Sequence, residues 1–318
     1  MGAHDTTAET THEPTEEVVD RETKIRYFLN GDFVRSSPYW GIPFVIMGIA
    51  VYGGIGFNLA ISFTDAQGLT PPKFTNVDLE MYSAMFQDAG FMQALQNNLV
   101  LLVVFTSVAL LFGMFLAILI DQDIRHDQKI QTIFLLPMSL SFVVTAQMWL
   151  WIYNVRDGLV NIIITGLGGP RINWLGDPSV SLAAVIFALI WQFSGYTMVV
   201  YLAGLRSLPA EQYEAAMVDG ASTTRTYLRV IIPQLKESSV SAAVVLMLFG
   251  LKAFTFLYAL TGRYVPPNGT DILATKIVRE AFKFGKWAYA AAIGTVLLLL
   301  ALGVIAPYLY YQYQQGSL

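Results

Sequence analysis

Charged residues are so widely spaced along this chain that the intervals between them act as a ruler. A bilayer core about 30 Å thick takes roughly 20 apolar residues as a helix, and six charge-poor stretches reach that length. They run from Ser36 to Thr64, from Leu99 to Ile120, between Lys129 and Arg156, between Asp177 and Arg206, from Ser238 to Gly262 with Lys252 inside it, and from Trp287 to the end. The pattern predicts an all-α membrane protein with six transmembrane helices. Residues 1–35 are different. They are rich in Thr and Glu, have no apolar core, and read as a disordered acidic tail. A cleaved leader would need a basic start and an apolar stretch of about 7–15 residues close behind it. Neither is present, so the plan is a 1–35 tail followed by a 36–318 transmembrane domain.

Composition agrees with the ruler. Only 13% of the 318 residues are charged, against about 25% in soluble domains, which excludes a soluble enzyme and a nucleic-acid binder. The net charge of −4 belongs to the tail: residues 1–23 carry seven acids and one base, and the remaining 18 bases and 16 acids leave +2. Orientation follows from Lys and Arg in short loops. A cytoplasmic N-terminus puts ten bases inside and eight outside. Five of those eight, Arg263, Lys276, Arg279, Lys283 and Lys286, fall in the segment 262–286. Its middle, Ile272–Phe284, has charges at spacings of three and four, which predicts an amphipathic helix lying at the outer interface.

Most chemistry is excluded by what is missing. There are no cysteines, and His4 and His12 of the three histidines lie in the tail, so thiolate sites, metal sites and Ser/His/Asp catalysis have no material. His126, between Asp123 and Asp127, reads as a loop residue. A phosphate-binding loop needs Gly-x4-Gly-Lys-Ser/Thr; Gly285-Lys286 is followed by Trp287 and preceded by Glu280 at the first position. Gly166-Leu-Gly-Gly169 reads as a bend. No catalytic residue, metal or cofactor is expected in this chain.

One loop on the inner side is ordered by its sequence. Ser207 can cap a helix with Pro209 in its first turn, Ala210–Val218 are mostly helix formers, and Gly220 supplies a left-handed stop. Ser222 then caps a second helix, Thr223 to Ile232, that Pro233 should end. Ala215 and Ala216 offer a small surface with Glu214 and Asp219 beside it. These features alone fit either a docking surface for another protein or an amphipathic helix resting on the membrane.

Here the spacing becomes specific. Glu214-Ala-Ala216, three residues, Gly220, nine residues, and Val230-Ile-Ile-Pro233 resemble the EAA signature of permease subunits of binding-protein-dependent ABC importers, with conservative changes at Val230 and Ile232. Ser62-Phe-Thr-Asp65, Asn173-Trp-Leu-Gly-Asp-Pro178 and Leu202-Ala-Gly-Leu-Arg-Ser-Leu-Pro209 are similar to the carbohydrate-uptake branch, the relatives of maltose and glycerol-phosphate permeases. One departure is Thr261-Gly-Arg-Tyr-Val-Pro266, where such permeases often have Thr-Gly-Gly-Gly-Pro. The resemblance implies a type I importer fold with a cytoplasmic coupling helix between helices 4 and 5. In it Glu214, Ala215, Ala216, Met217, Asp219, Gly220 and Ala221 would meet an ATPase subunit. It implies two such ATPases, which use ATP and Mg, a second permease forming a heterodimer, and an external solute-binding protein, all in a prokaryotic cell membrane.

Within the spans Lys252 is the one charge. An intramembrane lysine costs roughly 2.5–3.5 kcal/mol, so it should face protein or water, as a wall of the translocation path or as a structural partner of a neighbouring helix. Gln192, Ser194 and Tyr196 in helix 4 and Thr255 and Tyr258 in helix 5 suit a neutral carbohydrate, with helix–helix packing as the other reading. A permease for a polyamine, an oligopeptide or an anion is an alternative. A secondary transporter would call for intramembrane acids, and no Asp or Glu falls in any of the six stretches.

Overall fold

The computed structural model describes residues 32–69, 71–75, 77–122, 127–262, 266 and 269–314. Of the expected disordered tail 1–35, residues 1–31 fall outside them and residues 32–35 instead open the first helix, and the loop residue His126 and residues 263–265 of the departing loop also fall outside. The chain divides into two compact units, with the boundary between Phe57 and Asn58, and among the described residues every regular element is helical.

Helix α1, Asp32–Ser62, crosses that boundary; its 27 residues from Ser36 are apolar enough to span a membrane. The second unit contains α2 (Glu80–Gln87), α3 (Ala89–Asp121), α4 (Asp127–Ser139), α5 (Phe142–Ile152), α6 (Leu159–Gly166) and α7 (Ser181–Arg206). It continues with α8 (Ala210–Val218), α9 (Thr223–Leu251), α10 (Phe254–Thr261), α11 (Leu273–Val278) and α12 (Trp287–Gln314). Among the described residues α1, α3, α7, α9 and α12 are each long and apolar enough to cross a membrane. The bent pair α4–α5 makes a sixth span if counted as one.

The third expected span is therefore not a straight helix. Its two halves meet at about 100°, a 100° turn made at Leu140–Ser141. Pro137 lies in the last turn of α4 and has no N–H to continue the ladder. Ser141 is extended and caps α5, accepting a hydrogen bond from the Val144 amide at 3.3 Å. The fifth stretch is also interrupted: α9 ends at Leu251, and α10 starts again at Phe254.

Helices α3 and α7 form the most extensive helix pair. Glycines permit the approach: a Cβ on Gly113 would lie 2.0 Å from Thr197 Oγ1, and one on Gly195 would lie 2.0 Å from the Phe134 carbonyl of α4. Thr197 Oγ1 donates to the Ala109 carbonyl at 2.9 Å. Around this contact lies an apolar core that includes Phe105, Trp149, Leu189, Phe193, Phe256 and Leu257. A second cluster, with Leu116, Ile120, Tyr201, Leu205, Ile231 and Leu235, fills the space near Asp121.

Two sequence expectations fail for identifiable reasons. Pro233 does not end its helix. A wide π turn at Tyr227–Ile231 and a 3-10 turn at Ile232–Leu235 place the proline at a starting position of the tighter turn, where its missing N–H forfeits no bond. The segment 272–284 is not a helix resting on the interface either. It forms α11 and a π turn, Arg279–Lys283, with Ile272, Leu273, Lys276, Arg279 and Glu280 all buried. Its charges are matched by partners instead of water. Lys276 Nζ lies 2.7 Å from Asp88 Oδ2, and Arg279 Nη2 lies 2.6 Å from Asp271 Oδ2. Glu280 stands between them, 3.9 Å from Lys276 and 3.6 Å from Arg279.

Asp88 also caps α3, accepting from the Gly90 amide at 2.8 Å, and receives the Tyr289 hydroxyl of α12 at 2.6 Å. Partial burial works to raise its carboxyl. The hydrogen bonds from Lys276, Tyr289 and Gly90, with the Lys276 charge, outweigh that and hold it at about 2. A depressed carboxyl contributes stability that is complete above its unfolded value near 3.8 and lost as pH falls through the folded one. Asp88→Asn is therefore expected to lower Tm at pH 7, with the gap to the parent closing as pH is taken from about 4 to about 2 in a detergent melting series.

Candidate functional site

Two places bring sequence-selected residues together: a pocket at the α4–α5 bend and the short helix α8. The pocket, about 370 Å³, is lined by residues that include Leu140, Ser141, Phe142, Gln192, Phe249 and Thr255. Sharp bending of the backbone frees the Leu140 carbonyl from a helical partner, and Gln192 of α7 supplies one, its Nε2 donating at 3.2 Å. The other end of this amide, Oε1, is buried and has no hydrogen-bond partner among the described residues. Phe142, Phe193 and Phe249 pack their rings beside it, with centroids 4.7–6.2 Å apart. The arrangement offers one unsatisfied acceptor, a hydroxyl from Thr255 and an aromatic wall. That is the chemistry that suits a neutral polyhydroxyl solute.

Gln192 and Thr255 are thus brought to one cavity, whereas the other four candidate path residues are not. Ser194 is buried, donates to the Trp191 carbonyl at 3.2 Å, and lines a separate apolar crevice of about 740 Å³. Tyr196 is half-buried, Tyr258 stacks on Phe254 at 5.6 Å, and Lys252 caps the C-terminus of α9. The lysine side chain is exposed at the break between α9 and α10. Ser141, at the break opposite Gln192, was missed because a serine within an apolar run carries no signal until the proline four residues earlier is read as a bend.

In α8 the left-handed stop is where the sequence places it. Gly220 has φ +71°, the Gly220 amide donates to the Met217 carbonyl at 3.0 Å, and the Ala221 amide to the Ala216 carbonyl at 3.0 Å. This double closure of the last turn needs a residue that tolerates positive φ. Ser207 does not cap α8, contrary to expectation. Its hydroxyl turns back to the Gly204 carbonyl at 2.7 Å and closes α7, leaving extended Pro209 to open α8. Glu214, Ala215, Met217, Asp219 and Gly220 are exposed, Ala221 is half-buried, and Ala216 is buried against the body of the unit.

What holds α8 from beneath was not visible in the sequence. Tyr213 Oη donates to Asp121 Oδ2 at 3.2 Å, and Tyr227 Oη donates to the same oxygen at 2.7 Å. Burial, with the Asp121 carboxylate beside it, pushes the Tyr213 hydroxyl up to about 12. Elsewhere the carboxylates of Asp65, Asp78 and Glu80 come within 4.8 Å of one another, but all three are exposed, and exposed acids meet this way without an ion.

The described residues form an all-helical arrangement with five or six candidate spans, a cavity at a bent span and a short helix outside the spans, the architecture of a multi-pass membrane protein. Residues 109–316 match the family of binding-protein-dependent transport system inner membrane components, and the chain belongs to that family. Among its relatives is the xylose/arabinose import permease of Haloferax volcanii, 67% identical over 318 residues, all of both chains. A probable ABC transporter permease of Pyrococcus horikoshii is 47% identical over 272 residues, covering 85% of this chain and 92% of that one. The fold is similar to a chain of a bacterial ABC transporter for alginate solved in complex with its oligosaccharide-bound periplasmic protein. The TM-score there is 0.74 at 22% identity, over 90% of this chain and 97% of that one. The protein is a multi-pass membrane transport component.

Gln192→Leu should leave the Leu140 carbonyl without its partner, at a cost of about 1–3 kcal/mol. The expected readout is a lower Tm of the detergent-solubilised protein, and Gln192→Met, which keeps the length but removes the donor, should lower it as well.

Proposed function

We propose that the chain is one of two permeases of an ATP-driven importer for a small neutral sugar of the pentose class. The observation that carries this reading is the 67% identity, end to end, with a xylose/arabinose import permease. In this reading the sugar arrives on an external binding protein and passes the pocket at the α4–α5 bend. There Gln192 Oε1 accepts from a sugar hydroxyl, Thr255 exchanges hydrogen bonds with it, and the Phe142–Phe249 wall covers its apolar face.

The energy comes from elsewhere, since the chain has no phosphate-binding loop of its own. Two separate ATPase subunits hold ATP and Mg, and the exposed residues Glu214, Ala215, Met217, Asp219 and Gly220 of the α8 segment sit in a cleft of one of them, with Ala216 and Ala221 packed behind. Met217 and Val218 are 66% and 87% exposed, apolar surface that a protein cleft would cover. With this helix on the cytoplasmic side, the N-terminus lies on the same side, in keeping with ten bases inside and eight outside. Closure of the ATPases then moves α8 and tilts the spans between inward- and outward-facing states.

The test is reconstitution of the chain with its partner permease, ATPases and binding protein in liposomes, followed by uptake of labelled xylose and arabinose. ATP-dependent pentose uptake is expected; uptake of a polyamine or an oligopeptide in its place would overturn the sugar assignment. In the same assembly Gly220→Pro or Glu214→Lys is expected to leave the complex in the membrane while uncoupling ATP hydrolysis from uptake. Unchanged uptake in both variants would remove α8 from the coupling role.

A further inference from the structure

Helix α3 stops at Asp121, and one oxygen of that carboxylate is shared by two tyrosines from two other elements. Tyr227, buried at the first residue of the π turn in α9, donates at 2.7 Å, and Tyr213, on the inner face of α8, donates at 3.2 Å. The two rings meet edge to face with centroids 6.1 Å apart. Hydrogen bonds to an ionised carboxylate are about twice as strong as those between neutral groups.

The joints at the ends of α8 are poor transmitters by comparison. At one end Pro209 is extended and has no N–H to bond back; at the other Gly220 adopts a left-handed conformation. A displacement applied to the exposed face of α8 reaches the spans through side chains on its inner face. The one charge-assisted contact described there is Tyr213 with Asp121; Gln212 Oε1, which accepts from Gln234 Nε2 at 2.5 Å, adds a neutral bond to α9.

We propose that Asp121 is the pin through which movement of α8 is passed to α3 and α9, with Tyr213 as its link to α8 and Tyr227 as its link to α9. All three are positioning residues, and the inference rests on the reading of α8 as the helix that meets the ATPase. The carboxylate makes one node of three elements: lifting α8 draws on the end of α3, and through Tyr227 on the turn where α9 changes from a wide to a tight helix.

The experiment uses the full reconstituted importer, with ATP hydrolysed per molecule of pentose taken up as the readout and the amount of assembled complex measured in parallel. Tyr213→Phe removes one hydroxyl and nothing else. It is expected to raise that ratio about fivefold, at the lower end of ordinary coupling factors, with assembly unchanged. Asp121→Asn should act in the same direction, and the double variant should add little to either single change, as for residues in one network. A ratio at the parent value in Tyr213→Phe would overturn the pin, as would losses of uptake and ATP hydrolysis that stay in step with lost complex. A parent assembly that shows no ATP-driven uptake of pentose or of any other solute tested would overturn the importer reading and the pin with it, a result distinguishable from coupled uptake by parent and variants alike.

Discussion

Inside a bilayer no water is available to a backbone carbonyl or amide that leaves its helix, so each must be satisfied by the protein itself. This chain bends one span sharply nonetheless, and a side-chain amide takes up the carbonyl that the bend frees. Gln192 bonds the Leu140 carbonyl at the α4–α5 bend, and Gln147 Nε2 reaches the Ala259 carbonyl of α10 at 2.8 Å. Asn97 Nδ2 donates to the carbonyls of Gly269 and Asp271 ahead of α11, while Asn98 Oδ1 accepts the Leu273 amide at 2.8 Å. A cavity with a free acceptor arises as a by-product of that repair. The amide that mends the break has a second end, and that end is left buried without a partner among the described residues.

Much of the architecture was legible because bilayer thickness acts directly on sequence. A charge-free run of sufficient length has few alternatives to a span, and the left-handed stop at Gly220 has few alternatives to glycine. What stayed hidden was pairing across long separations. Lys276 and Arg279 read as an exposed charged stripe because their partners, Asp88 and Asp271, carry no mark in the sequence that assigns them inward. Asp121 gave no signal for the same reason, its tyrosines lying 92 and 106 residues away. Pro233 misled because proline ends a regular α-helix, whereas a π turn followed by a 3-10 turn lets a helix run through it. Of the path candidates, Gln192 and Thr255 share a cavity because a bend brings the lining of both helices to it; Tyr196 and Tyr258 have the right chemistry on other faces.

The two ends of α3 are fastened by opposite means. At Asp88 a carboxylate is tied to Lys276, Tyr289 and the helix's own first turn, beside a second buried pair, and breaking one partner of such an arrangement is strongly destabilising. At Asp121 two neutral hydroxyls share one oxygen, so that end carries no opposite charge among its described partners. The helix between these two carboxylates is about 50 Å long at 1.5 Å per residue.

The wide turns at Leu101–Phe105, Tyr227–Ile231 and Arg279–Lys283 each hold one residue more than a regular helix requires. The wider winding takes up that residue with little net rotation, so the sequence register downstream slips by one position against the pattern upstream. The helix beyond such a turn therefore presents a face that its own upstream pattern does not specify. A single-residue deletion there would restore an unbroken α-helix of almost the same length with its far half on nearly the same faces. The wide turn thus lets a helix carry one residue more than its packing faces call for without giving up the contacts on either side.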